Sequence, residues 1–245
     1  MANKNKIINQ AQKFIGKGQW DKAIKELNKL IAEDPSDVRT LLKLGDGYSK
    51  KGDRELATAT YKQVAESYSG QGFFLKAVAV YKQILKHAPN QLSVVLKLAE
   101  LYEHLGLAQE AMSQYQRAAA IHDEQGDAQA SLDVLRRMVA LDQDNVASRI
   151  KLAEGFSREG NIEEAGREFE RAAGSLQTLG RFDDYVKVAE RLVYHAPERT
   201  DVIKELARHY MKKSETKRGL AKLQLCFKTD PRDFETLELL AEAFR

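Results

Sequence analysis

Lys43–Tyr48 reads Lys-Leu-Gly-Asp-Gly-Tyr, and the pattern returns as Lys97–Tyr102 (KLAELY), Lys151–Phe156 (KLAEGF) and Glu205–Tyr210 (ELARHY). The anchors Leu44, Leu98, Leu152 and Leu206 recur at a constant step of 54. Each is followed by a small residue (Gly45, Ala99, Ala153, Ala207) and then by an aromatic (Tyr48, Tyr102, Phe156, Tyr210). A fixed period of this kind marks stacked helical units that bury their apolar faces against one another, in place of a single compact core. Around the first anchor, Leu41, Leu44 and Tyr48 share one helical face, Gly52 interrupts, and Ala57, Tyr61 and Val64 share the next. The alternating Val-Ile-Thr runs and turn pairs of strands are missing, and the chain holds only 4 prolines and 15 glycines, so the fold class is all-α.

Working outward, the preceding hairpin differs from this one by a step of 34: Ala11 to Gly45, Phe14 to Tyr48, Gly18 to Gly52, Ala23 to Ala57. From residue 38 the period is 54, which exceeds that step by 20 and makes room for a third helix in each unit. These extra helices are expected near Phe73–His87, Gln129–Leu141 and Phe182–His195, after Gly72, Gly126 and Gly180. The helix before each one carries two signatures at once. Ala57 and Tyr61 read as the second helix of a repeat, while Tyr61, Ala65, Tyr68 and Gly72 read as the first helix of another. The overlap recurs at Tyr115–Gly126 and Phe169–Gly180, so adjacent repeats are expected to share a helix. After Tyr210 the 34 step returns, from Ala207 to Ala241. The expected organisation is one continuous array over 1–245 of about fourteen antiparallel helices: a hairpin at 4–37, three-helix units at 38–91, 92–145 and 146–199, a hairpin at 200–233 and a terminal helix at 234–245.

These residues resemble the tetratricopeptide repeat (TPR), whose 34-residue pattern runs large apolar, Leu-Gly, Tyr, Gly, Ala, Phe, Ala, Pro. The resemblance implies a right-handed superhelical solenoid in which the first helix of each hairpin lines an inner groove. Its second, fifth, ninth and twelfth positions then project inward. Counted from Lys4, Val38, Leu92, Val146 and Thr200, the fifth positions are Ile8, Leu42, Leu96, Ile150 and Lys204, and the ninth are Gln12, Asp46, Glu100, Glu154 and Arg208. An aliphatic row would thus lie beside a carboxylate row, both turning basic in the last full unit. Such a groove suits an amphipathic helix or loop bearing Lys or Arg. The alternative is that the third helix of each unit covers the aliphatic row and makes it ordinary core.

Catalytic and cofactor signatures are missing. No Gly-rich phosphate loop follows a strand. Cys226 is the only cysteine, set among Leu223, Leu225 and Phe227 as an inert core thiol would be. Of the five histidines, His87 and His195 occupy equivalent His-Ala-Pro sequences at helix ends, as cations near a helix C-terminus would. No metal, cofactor or small-molecule substrate is expected. Met1–Gly18 lacks a continuous apolar core, and no apolar run approaches the ~20 residues that span a bilayer, so a cytoplasmic chain without membrane insertion is expected. The net charge of +3 divides unevenly, with +7 over residues 1–90, −6 over 91–180 and +2 over 181–245.

The function that needs only an extended surface is a non-enzymatic interaction scaffold or adaptor. A TPR co-chaperone gripping a C-terminal carboxylate would want Lys and Asn where Ile8 and Gln12 stand, and the acidic middle interrupts any RNA phosphate track. Ala65–Asn90 (AESYSGQGFFLKAVAVYKQILKHAPN) and Gly219–Phe244 (GLAKLQLCFKTDPRDFETLELLAEAF) resemble bacterial TPR scaffolds of cell polarity and type IV pilus or gliding motility. That resemblance implies a role at a cell pole, binding a Ras-like polarity GTPase or its response-regulator-like partner.

Overall fold

The computed structural model describes residues 2–244, with side chains from residue 4; Met1 and Arg245, the outermost positions of the expected array, lie outside the described residues. In chain order the helices are α1 (Ala2–Gly16), α2 (Trp20–Glu33), α3 (Val38–Lys51), α4 (Arg54–Gly70), α5 (Phe74–His87), α6 (Leu92–His104) and α7 (Ala108–Gln125). They continue as α8 (Ala128–Leu141), α9 (Val146–Arg158), α10 (Ile162–Thr178), α11 (Phe182–His195), α12 (Thr200–Lys212), α13 (Thr216–Thr229) and α14 (Phe234–Ala243). Among the described residues there is no strand, and the fold is an all-α helical-repeat solenoid. The extra helices of the 54-residue units are α5, α8 and α11, each beginning within one residue of its expected start. The helices with two overlapping signatures are the longest, at 17, 18 and 17 residues for α4, α7 and α10. That length follows from their double role, since one helix must reach both neighbouring repeats.

Local chemistry sets the boundaries. Asp37, Asp53, Asp127, Asn145 and Asp233 each cap a helix by accepting a hydrogen bond from the backbone N–H three residues on. At the other end of α3, Gly52 takes a left-handed conformation (φ 91°), and its N–H and that of Asp53 satisfy the last carbonyls, Ser49 O at 3.1 Å and Tyr48 O at 2.9 Å. The equivalent corner after α12 holds Ser214 at φ 61°, so a residue with a Cβ occupies a conformation that glycine adopts freely.

The chain forms two compact units, residues 1–121 and 122–245, with the division falling inside α7. Helices two apart in order touch within each unit. In the first, Lys4 of α1 pairs with Asp37, the N-cap of α3, at 3.3 Å, and Ser49 of α3 meets His87 of α5 at 2.9 Å. In the second, Ser157 of α9 meets His195 of α11 at 2.8 Å, Gln177 of α10 meets Glu205 of α12 at 2.9 Å, and Lys204 of α12 pairs with Asp233 at 2.6 Å. Odd-numbered helices therefore form one layer of each unit and even-numbered helices the other.

Small residues let the layers approach. Ala57, Ala111 and Ala165 are wholly buried, and a Cβ built on Gly45 would lie 2.8 Å from the ring of Tyr61. Against them sit Tyr61, Tyr115 and Phe169, at 3%, 0% and 1% exposure, each contributing about 1.5–3 kcal/mol of apolar burial. These positions are the small–aromatic signature of the sequence, and they are core.

Candidate protein-binding surface

A three-helix unit has an odd number of helices, so the first helix of each successive unit falls in the opposite layer. In the first compact unit α1 and α3 share the odd layer, while α6 lies in the even one. In the second, α9 is odd and α12 even. The fifth and ninth positions consequently do not form one row. Ile8 and Gln12 on α1 stand beside Leu42 and Asp46 on α3, whereas Leu96 and Glu100 on α6 lie on the other side of that unit. Ile150 and Glu154 on α9 are likewise separated by layer from Lys204 and Arg208 on α12.

The fifth-position aliphatics are neither bare nor lost to the core. Ile8, Leu42, Leu96 and Ile150 are all half-buried, and Ile8 packs on the core of Ala11, Ile24, Leu27, Leu30 and Leu44. Ile150 opens into a cleft of about 270 Å³ whose apolar walls include Val146, Leu176 and Val188 and whose charged lining includes Arg181, Lys187 and Arg191. Lys204 is buried at 8% exposure because Asp233 (2.6 Å) and Glu235 (2.7 Å) hold its ammonium group.

The ninth-position carboxylates are engaged within the protein. Asp46 accepts a hydrogen bond from the Tyr61 hydroxyl at 2.6 Å. Burial and that bond together push the Tyr61 phenol well above its ordinary pKa. Glu100 accepts from Lys97 at 2.8 Å, and Glu154 is ion-paired to Arg191 of the neighbouring α11. Arg208 is paired with Glu235, and Gln12 is exposed. Each of the three carboxylates thus has a partner within the protein.

Three arrangements escaped the sequence reading. His87 and His195 do more than sit at helix ends: each places Nε2 on a serine hydroxyl of the first helix of its unit, Ser49 and Ser157. Their only sequence signal is a shared separation of 38 from that serine. Arg149 and Glu168 form an ion pair at 2.7 Å with both side chains only 11% exposed. Aligning the units would have flagged it, since Arg149 replaces Leu41, Val95 and Ile203. The turn between α4 and α5 carries Tyr68 and Phe73 edge-to-face at 6.3 Å, with the Lys76 ammonium 4.4 Å from the Phe73 ring centre. Cys226 is buried, its thiol pKa raised by burial. Among the described residues no cluster of His, Cys, Asp and Glu is placed to hold a metal, and no helix is long and apolar enough to cross a membrane.

Two family models described as Tetratricopeptide repeat match residues 39–70 and 63–124. The two matches overlap on α4, the long helix with two signatures. No curated protein matches the chain at a significant level. Among solved structures the chain is similar to the APC/C heterotetramer Cut9–Hcn1, at 13% identity and a TM-score of 0.28, over 98% of this chain and 55% of that one. It is similar to the TPR2AB-domain:pHSP90 complex of yeast Sti1 at 14% identity and a TM-score of 0.32, over 100% and 99% of the two chains. It is also similar to YrrB, described as a TPR protein with an unusual peptide-binding site, at 15% identity and a TM-score of 0.27, over 86% and 96%. The chain spans just over half the length of the first of these.

Proposed function

We propose that the chain, whose residues 39–124 match tetratricopeptide-repeat models, is a non-enzymatic adaptor whose partner seats an apolar side chain in the odd-layer grooves. The observation that carries this reading is the cleft between α9 and α11, with an aliphatic floor at Ile150 and Val188 and ion pairs around it. Its volume of about 270 Å³ is smaller than the ~300–1,000 Å³ of small-molecule pockets and suits one large side chain of a protein partner. Ile8 and Leu42, half-buried on adjacent odd-layer helices of the first compact unit, extend the same chemistry there. Leu96 and Glu100, and Lys204 and Arg208, belong to the even layers and are proposed as separate contacts. The array over 1–245 is proposed as continuous.

The finer reading is that the partner is a Ras-like polarity GTPase or its response-regulator-like partner, at a bacterial cell pole during pilus-driven movement. The sequence resemblance of Ala65–Asn90 and Gly219–Phe244 to polarity scaffolds supports it. Affinity capture from native lysate, with wild-type protein and with Ile150→Asp, tests both levels. Recovery of a small GTPase or receiver-like protein that is lost in the variant is the expected result. Identical captures by the two proteins, with helicity unchanged, would remove the groove reading. Loss of a chaperone in its place would remove the polarity reading.

A further inference from the structure

Charge in the first compact unit separates by layer. Helices α1, α3 and α5 carry ten Lys/Arg and one carboxylate, Asp46, whereas α2, α4 and α6 carry six Lys/Arg and seven Asp/Glu. The single carboxylate is already engaged by the Tyr61 hydroxyl. Of the ten cations, Lys4 and Lys51 have ion-pair partners. Lys6, Lys13, Arg39, Lys43, Lys50 and Lys86 are exposed and have none among the described residues.

The odd layer of the second unit shows that this is not a general property of the helices. Six of the nine Lys/Arg on α9, α11 and α13 are ion-paired there, including Arg158 with Asp123, Arg191 with Glu154 and Lys222 with Glu190. An unneutralised cationic face repels itself and concentrates anions near it. Arg39, Lys43 and Lys50 fall on one stripe of α3 at helical spacing, and the half-buried Leu42 and Ile8 lie beside it.

We propose that the α1–α3–α5 face of the first unit docks an acidic amphipathic protein segment, carboxylates on the lysines and an apolar edge toward Ile8 and Leu42. The proposal rests on the adaptor reading and gives the partner a charge opposite to the one the carboxylate positions first suggested. One feature favours a protein over a nucleic acid. Aliphatic side chains accompany the cations along α3, and a phosphate backbone makes no use of them. The aromatic beside the α1 lysines, Phe14, is half-buried and lines a groove with Lys6, Lys13 and Lys17, so base stacking is the rival that the oligouridine probe measures.

The test uses the full chain and three probes: a synthetic 20-residue helix of alternating Glu- and Leu-rich faces, a single-stranded oligouridine, and vesicles containing phosphatidylserine. Binding is read by fluorescence anisotropy or sedimentation at two salt concentrations. The acidic peptide is expected to bind, weaken with salt, and lose at least tenfold in affinity in Lys6→Glu/Arg39→Glu/Lys43→Glu. It should bind normally to the α2 control, Lys22→Glu/Lys25→Glu/Lys29→Glu. Equal weakening by both triple variants, stronger binding of oligouridine or vesicles than of the peptide, or no peptide binding overturns the proposal. If the peptide fails while lysate capture remains sensitive to Ile150→Asp, this inference falls and the adaptor reading stands.

Discussion

Arg149 and Glu168 supply a test of what holds the third repeat together. In the units before and after, the position of Arg149 is Leu41, Val95 or Ile203, each no more than 3% exposed, so the arginine replaces a core aliphatic. Its guanidinium donates to Glu168 at 2.7 Å and to the Gln143 carbonyl at 2.9 Å, and Glu168 also accepts from Arg171 at 2.8 Å. Removing one partner of a buried pair leaves the other desolvated and uncompensated, at a cost of about 3–5 kcal/mol. The remaining contacts to Gln143 and Arg171 place both single variants, Arg149→Val and Glu168→Gln, toward the lower figure. The double variant installs the residues of the preceding unit, Val95 and Gln114, and removes both buried charges together. It is expected within ~1 kcal/mol of wild type, a coupling large enough to resolve in a double-mutant cycle. Urea unfolding followed by far-UV circular dichroism measures all four proteins. Loss in the double variant equal to the sum of the singles would refute the argument, because the pair would then contribute by packing and not by mutual neutralisation.

Ser214→Gly should raise stability by about 0.5–1 kcal/mol in thermal melts by relieving a left-handed residue, and Gly160→Ser, at φ 76° in the preceding unit, should lower it similarly. Ser157→Ala removes the hydroxyl that meets His195 and should cost ~1 kcal/mol in denaturant titration, adding to the cost of Ser49→Ala because the two sites share no partner. Asp37 gives the acid response. Burial works against its charged form, but the Thr40 N–H and hydroxyl and the Lys4 ammonium outweigh it and hold the carboxyl below the usual range. With the folded pKa depressed, its contribution is complete above the unfolded value of about 3.9 and disappears as pH falls through the folded one. Asp37→Asn, which keeps the cap oxygen, should therefore show a shallower loss of stability below that pH than wild type.

The repeat period made the fold legible because packing leaves a mark at every turn. Gly45, Ala99, Ala153 and Ala207 must be small wherever helices cross, and Tyr61, Tyr115 and Phe169 must fill what remains. The helices that carry two overlapping signatures, α4, α7 and α10, are also the longest. The groove was less legible, since position within a repeat does not by itself say which layer a helix joins. Asp46 looked free in the sequence because its partner, the Tyr61 hydroxyl, belongs to a residue already accounted for by ring packing. Glu154 looked free because Arg191 lies on the inserted helix, 37 residues away. The unpaired lysines of α1, α3 and α5 were visible as a net charge over residues 1–90, but their segregation needed the layers.

The odd helix count has an evolutionary and engineering meaning. Duplicating one 54-residue unit within a compact unit turns over every helix downstream, so residues that faced one neighbourhood then face the other. A binding surface cannot be lengthened by copying that module once. The insertions that preserve facing are the 34-residue hairpin and two 54-residue units copied together. The Ser49–His87 clasp has a twin in sequence at Ser157–His195, and the 54-residue unit between them holds Glu103 and Leu141 at the equivalent positions.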